Sequence, residues 1–206
     1  MAFDHWWFGT FVDREQAARI KPEFAKAAAI ARPSPEARAA LDAWRMNPRD
    51  FEDAAITTDE AGDRANRFIW AFNLPGFDDL AQQVLGQNGA FASLLTEAQV
   101  FRFVSTARTT PVSIVWHALG AERACALPGT MGNLLVHPDE VEEAARMTQR
   151  AYAGTEMRSM LDAARRYCGT SVSDEDLEQV LGFLPEGLAQ AGKRGSGFLA
   201  LARPQM

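Results

Sequence analysis

The sequence contains little cysteine and no long hydrophobic run. Cys125 and Cys168 are the only cysteines among 206 residues, too few for a disulfide framework or for a zinc site with four cysteine ligands. No stretch of about 18 apolar residues occurs, so no transmembrane helix is expected. The first residues, MAFDHWWFGTF, lack the basic region and apolar core of a secretory signal. These absences predict a reduced, cytoplasmic protein without membrane contact.

Clusters of lysine and arginine are absent as well, and acidic residues are in excess. The net charge is −6, and the arginines between 146 and 166 are interleaved with Glu and Asp. Because phosphate contacts need clustered basic side chains, no nucleic-acid partner is expected. An acidic surface suits a basic protein partner, since complementary charge speeds encounter. Solubility alone, however, is the commoner reason for such a charge.

Signatures of catalysis and of metal or cofactor binding are also missing. Neither Gly-x-Ser-x-Gly nor His-Glu-x-x-His occurs, and the glycine-bearing segments 128–133 and 192–197 do not fit a phosphate-binding loop. His117 and Cys125 are candidates for a thiol–imidazole pair, but their apolar neighbours favour a core cysteine and a half-buried histidine. The sequence therefore predicts no catalytic residue, no metal and no cofactor, and leaves open whether the protein is an enzyme.

Hydrophobic periodicity and capping residues predict many helices and few strands. The aromatic-rich segment 3–12 favours a strand, as do 134–136 and 198–202. Segment 90–107 favours a helix over a strand, and 112–119 is ambiguous because β-branched residues interrupt a helix-like pattern. The other expected helices, with the last interrupted at Pro185, are 14–31, 35–46, 58–74, 77–86, 138–152, 156–167 and 173–192.

This order of elements predicts an α+β fold. The expected architecture is a single domain over 1–206, in which helices pack on one face of a small, mostly antiparallel sheet. Segment 31–95 is interpreted as a helical insertion.

Three segments resemble the YfbM-like family of bacterial proteins of unknown function. They are PVSIVWHALG (111–120), GNLLVHPDEVEEAA (132–145) and LEQVLGFLPEGLAQAGKRGSGFLALA (177–202), and the opening WWFGTFVDREQAARI also fits. The resemblance implies an α+β fold, and some members of the family are presumed toxin-immunity proteins. It supplies no catalytic motif, and 31–95 has no counterpart in it.

Two functions remain open from the sequence. The first is a cytoplasmic protein-binding module, such as an immunity or accessory protein that masks a partner. The alternative is a small enzyme or ligand-binding protein with a pocket between the helical insertion and the core. Consecutive aromatic rings, imidazoles and neighbouring polar groups give the candidates for partner or ligand contact, which are Trp6, Trp7, His117, Asn133, His137 and Asp139.

Overall fold

An antiparallel sheet built from both ends of the chain organises the fold. The computed structural model describes residues 4–52, 60–86, 88–92 and 96–204. Its strands are β1 (Asp4–Val12), β2 (Val100–Ala107), β3 (Leu134–Val136) and β4 (Gly197–Pro204). They pair in the order β2-β1-β4-β3. The first and last strands of the described chain therefore lie side by side at the centre of the sheet, and β2 and β3 form its edges.

Helices cover both faces of this sheet. The helices that the structure describes are α1 (Arg14–Ile30), α2 (Pro35–Met46), α3 (Glu60–Trp70), α4 (Pro75–Leu85), α5 (Pro111–Leu119), α6 (Ala121–Ala124), α7 (Val141–Tyr152), α8 (Met157–Cys168) and α9 (Asp174–Arg194). Helices α1 and α4 pack against each other and against one face. The larger set around α5, α8 and α9 covers the opposite face.

Alternate residues of β1 enter two separate hydrophobic cores. Trp7 and Phe11 belong to the core under α5 and α9, whereas Trp6 and Phe8 belong to the core under α1 and α4. This is the expected consequence of the two-residue period of a strand. The α+β class is confirmed, but the expectation of helices on one face only is wrong, because a strand as continuously apolar as β1 is buried on both sides.

The segment 31–95 contributes to both cores. Trp44 of α2 and Phe68 of α3 are buried in the larger core, and Phe77 of α4 is buried in the smaller one. Its interpretation as an insertion stays a prediction. The expected start of α3 near Thr58 lies outside the described residues, as does Phe3 of the expected first strand.

In the middle of the chain, one sequence expectation is corrected and one ambiguity is resolved. Residues 100–107 form β2 rather than part of a helix. The ambiguous segment 112–119 is helical: α5 begins with Pro111, and Thr110 caps it by accepting a hydrogen bond from the backbone N–H of Ser113 at 2.9 Å.

Helix α9 runs through Pro185 without the interruption that the sequence predicts. A proline inside a helix leaves the carbonyl four residues earlier without its usual donor. Here that carbonyl belongs to Leu181, and the hydroxyl of Tyr152 on α7 donates to it at 2.9 Å. A side chain from a neighbouring helix therefore replaces the missing backbone hydrogen bond. Burial also raises the pKa of Tyr152, so its hydroxyl keeps the proton that it donates.

We expect Tyr152→Phe to destabilise the protein by about 1–3 kcal/mol, because the buried Leu181 carbonyl loses its donor. In a Pro185→Ala background the restored backbone N–H at position 185 pairs with that carbonyl, so the same Tyr152→Phe change should cost clearly less. Urea unfolding of the wild type, the two single variants and the double variant measures the loss of unfolding free energy caused by Tyr152→Phe in each background. Equal costs in the two backgrounds would contradict this role for Tyr152.

Candidate functional site

Strand β2 contains a β-bulge that determines where its side chains point. Gly9 of β1 pairs with Arg102, but the next residue, Thr10, pairs with Val100, so Phe101 is the extra residue. Bulges of this kind change the alternation of side chains along a strand and re-aim them. Val100 and Phe103 consequently lie on the same face although they are three residues apart.

The two residues between them both face α9. The ring of Phe101 contacts the ring of Phe183 with 5.7 Å between centroids. The guanidinium of Arg102 donates to the carboxylate of Glu186 at 2.7 Å and to the backbone carbonyl of Gln179 at 3.2 Å. The bulge thus anchors β2 to α9 through one aromatic and one charged side chain.

Gly9 makes this arrangement possible on the neighbouring strand. A β-carbon at position 9 would lie 2.8 Å from the ring of Phe183 and 3.1 Å from that of Phe101. Real β-carbons essentially never approach another atom to 2.8 Å, and 3.1 Å is tighter than most of their contacts, so rings that are fixed by packing would have to shift. The absence of a side chain at Gly9 therefore lets the aromatic rings close over the bulge.

On the opposite face, β2 is open to solvent. Phe103 is 54% exposed and Val100 is 42% exposed. The ring of Phe103 rests on that of Trp6, with 5.6 Å between centroids, while α1 and α4 pack on β1, β3 and β4. This edge therefore presents an apolar surface that continues into the buried core.

The backbone of β2 is open as well. Within the described chain β1 is the strand that pairs with β2, so the N–H and C=O groups on its other side have no ladder partner there. A row of such groups is a template for a further strand. We name the combination of the outer backbone of β2 with the side chains of Val100 and Phe103 the open edge.

Helix α9 carries exposed acidic residues near the positions Gln179 and Glu186 that contact Arg102 of β2, and we call these residues the acidic rim. Glu175 and Glu186 lie on the helical stripe of Gln179, and Glu178 is adjacent; all three glutamates are exposed. Glu186 is paired with Arg102, but Glu175 and Glu178 form no ion pair within the described residues. A positively charged group would be favoured beside this rim.

The candidate residues predicted from sequence are placed elsewhere. Trp6 and Trp7 are 9% and 1% exposed. Trp6 supports the open edge from beneath Phe103. The Trp7 ring stacks on Phe183 at 4.1 Å, and its Nε1 donates to the backbone carbonyl of Gly132 at 2.8 Å.

His117 is held inside the larger core. Its Nδ1 accepts a hydrogen bond from Nε1 of Trp44 at 3.1 Å, and its ring stacks on Tyr167 with 4.7 Å between centroids. Its Nε2 lies 3.7 Å from a carboxylate oxygen of Glu52, which accepts from Arg166 at 3.1 Å. Burial lowers the pKa of His117 to about 4, against the opposing effect of Glu52. The imidazole is therefore neutral at pH 7.

Neither cysteine is paired with this imidazole. Both nitrogens of His117 face other groups, and the thiol of the exposed Cys125 is contacted by the guanidinium of Arg45 at 3.6 Å. Cys168 is buried, and burial raises the pKa of its thiol to about 12. The expectation of a core cysteine is therefore wrong for Cys125, which is exposed, and His117 is buried rather than half-buried; Cys168 is buried in the core.

Asn133 is fully buried and ties a turn to the sheet. Its Oδ1 accepts from the backbone N–H of Ala202 on β4 at 2.9 Å, and its Nδ2 donates to the carbonyl of Thr130 at 3.3 Å. Both ends of the amide are therefore used within the fold.

His137 and Asp139 lie at the start of a helical turn on the surface. The backbone N–H of His137 donates to Glu140 at 3.1 Å, and its Nδ1 accepts from the backbone N–H of Asp139 at 3.4 Å, as in a capping box. The guanidinium of Arg14 binds both carboxylate oxygens of Asp139, and these hydrogen bonds lower the pKa of Asp139. The pair joins α1 to the segment after β3.

A metal centre and a membrane-spanning helix are both absent from the described part of the chain. No group of three or more His, Cys, Asp or Glu residues there is arranged to hold a metal ion. No helix among the described ranges is long and apolar enough to cross a bilayer. The open edge is thus the clearest candidate surface. Sequence reasoning missed it by assigning 90–107 to a helix, although the aromatic and β-branched composition of VFRFV is a strand signal.

Comparison with known proteins finds no matching family model, no similar curated protein and no similar solved structure. The resemblance to the YfbM-like family therefore stays a prediction.

His117 should make stability depend on pH below neutrality. Its pKa is about 4 in the folded protein and about 6.5 in the unfolded chain, so the unfolded state binds more protons between these values. The contribution of the neutral His117 imidazole to the free energy of unfolding is present above pH 6.5 and is lost as pH falls towards 4. Its total is on the order of 3 kcal/mol. The measurement is urea unfolding of the wild type and His117→Gln at several pH values. Parallel pH profiles of the two proteins would show that His117 makes no such contribution.

Proposed function

We propose that this protein is a protein-binding module that takes up an extended segment of a partner along the open edge. The observation that carries the proposal is an edge strand of eight residues whose outer backbone has no ladder partner in the described chain and whose side chains Val100 and Phe103 are exposed. Addition of a strand to such an edge is a common mode of peptide recognition, in which main-chain hydrogen bonds supply affinity.

The side chains around the edge define the partner. Alternate residues of an added strand point to opposite faces. On one face they meet Phe103 and Val100, which favour a large apolar residue. On the other face they approach the acidic rim, where Glu175 and Glu178 favour lysine or arginine. The partner segment is therefore extended, with alternating apolar and basic residues.

A second copy of this chain fits the edge less well. Antiparallel pairing of β2 with β2 of another copy keeps the same face of both sheets on one side. The two α9 helices, with their acidic rims, would then lie next to each other, and like charges oppose that approach. The net charge of −6 adds to this repulsion. A basic heterologous segment meets no such barrier.

The cellular setting is part of the same proposal. Cys125 and Cys168 are both free, which suits the reducing environment of a cytoplasm. A strand-binding edge suits an immunity or accessory protein that masks its partner. This role agrees with the resemblance of three sequence segments to the YfbM-like family, some of whose members are presumed immunity proteins.

Selection from a displayed library of random 12-residue peptides tests the proposal. We expect enrichment of peptides with alternating apolar and basic residues. Phe103→Lys should weaken their binding at least tenfold, because a charge replaces the apolar contact. Met46→Lys is the matched control: Met46 is 87% exposed at the end of α2, and its replacement should leave binding unchanged.

Failure of the selection, or enriched peptides whose affinity is the same for wild type and Phe103→Lys, would contradict the proposal. Dimerisation of the wild type that Phe103→Lys abolishes would also contradict it, since a second copy would then occupy the edge. Analytical ultracentrifugation distinguishes that outcome.

The acidic rim should control the rate of association. We expect the double variant Glu175→Lys, Glu178→Lys to slow association of a selected basic peptide by about tenfold at low salt and to reduce its dependence on ionic strength. The control is Glu15→Lys, Asp63→Lys, which changes the net charge equally on α1 and α3. Stopped-flow fluorescence gives the rates. Equal slowing in both double variants would assign the effect to net charge rather than to the rim.

A further inference from the structure

A cavity lies on the α5 side of the sheet, away from the face that bears Phe103. Its volume is about 230 Å³. The turn 127–132 forms one wall, and α5, the end of α6, β1 and α9 form the others. Its main apolar side chains are those of Trp7, Val112, Val115, Trp116, Leu127 and Leu184.

The turn that closes the cavity is held rigidly. Thr130 and Asn133 exchange two backbone hydrogen bonds of 2.8 and 3.0 Å around Met131 and Gly132. Both central residues have positive φ, 47° and 85°, as the tightest hairpin turns require. A β-carbon on Gly132 would collide with Val112. The hydrogen bond from Trp7 to the Gly132 carbonyl completes the closure, so the cavity is preformed.

The walls combine aromatic and aliphatic side chains with the polar groups of the turn 127–132. Two indole rings, Trp7 and Trp116, line the space. The rim contains the exposed thiol of Cys125, next to the guanidinium of Arg45, and the hydroxyl of Thr130. A few polar groups around an apolar interior are typical of small-molecule sites.

Size narrows the class of ligand. Apolar cavities of about 150 Å³ accommodate benzene. The cavity of about 230 Å³ is larger than that, but it lies below the range of roughly 300–1,000 Å³ that is usual for drug-sized ligands. It therefore matches an aromatic molecule of one or two rings.

We propose that this cavity is a binding site for a small aromatic molecule of about the size of indole, which enters past Cys125. The ring packs against the free edge of Trp116 and against Leu127 and Met131, and one polar substituent faces the rim. The site is separate from the open edge, so the test of this proposal does not depend on whether the edge binds a strand.

Indole is the probe for the test, and Cys125 is the reporter. Because Cys168 is buried, iodoacetamide should label Cys125. We expect indole to slow this labelling at least fivefold with saturation, and to raise the melting temperature by a few degrees. Val115→Phe, which fills the cavity, should abolish both effects. Val172→Phe, the same change outside the cavity lining, should preserve them.

Labelling that indole leaves unchanged, or slows without saturation, would overturn the proposal. Undiminished protection in a folded Val115→Phe variant would overturn it as well. If Val115→Phe does not fold, saturation in the wild type, measured by mass spectrometry of the Cys125 peptide, decides the question by itself.

Discussion

The extra residue in β2, Phe101, is the constraint on which the rest of the site depends. In a regular strand Phe101 and Phe103 would share a face. The bulge instead turns Phe101 and Arg102 towards α9, where Phe183 and Glu186 hold them. Phe103 is left on the other face with Val100, and this separation makes one side of β2 a firm anchor and the other an exposed apolar edge.

Burial on both faces of the sheet explains how an open edge coexists with a stable fold. β1 and β4 lie in the middle and supply side chains to two cores. The larger core also contains polar groups whose hydrogen bonds are made internally. Tyr152 donates to the Leu181 carbonyl, which Pro185 leaves without a backbone donor, and Trp44 donates to the neutral His117. None of these hydrogen bonds uses the outer backbone of β2 or the side chains of Val100 and Phe103.

Much of the fold could be predicted from the sequence, because its signals are local. Ser34 before Pro35 and Ser173 before three acidic residues mark helix starts, and the apolar run of β1 marks a buried strand. β2 was missed although its composition is a strand signal, because Val100, Phe103 and Val104 also have the spacing of a helix face and the bulge that places them cannot be read from a sequence. Of the candidate side chains, Trp7, His117 and Asn133 proved to be buried, because an aromatic, imidazole or amide group looks the same in a sequence whether its partners are internal or external.

Hydrogen exchange of the β2 amides, followed residue by residue by NMR, tests the central claim most directly. Alternate amides of an edge strand point away from its only neighbour. The account predicts that the amides of 102–107, beyond the bulge, alternate between slow and fast exchange in the free protein, and that a saturating library-selected peptide slows the fast set. Uniformly slow exchange in the free protein, or fast amides that the bound peptide leaves unchanged, would contradict it.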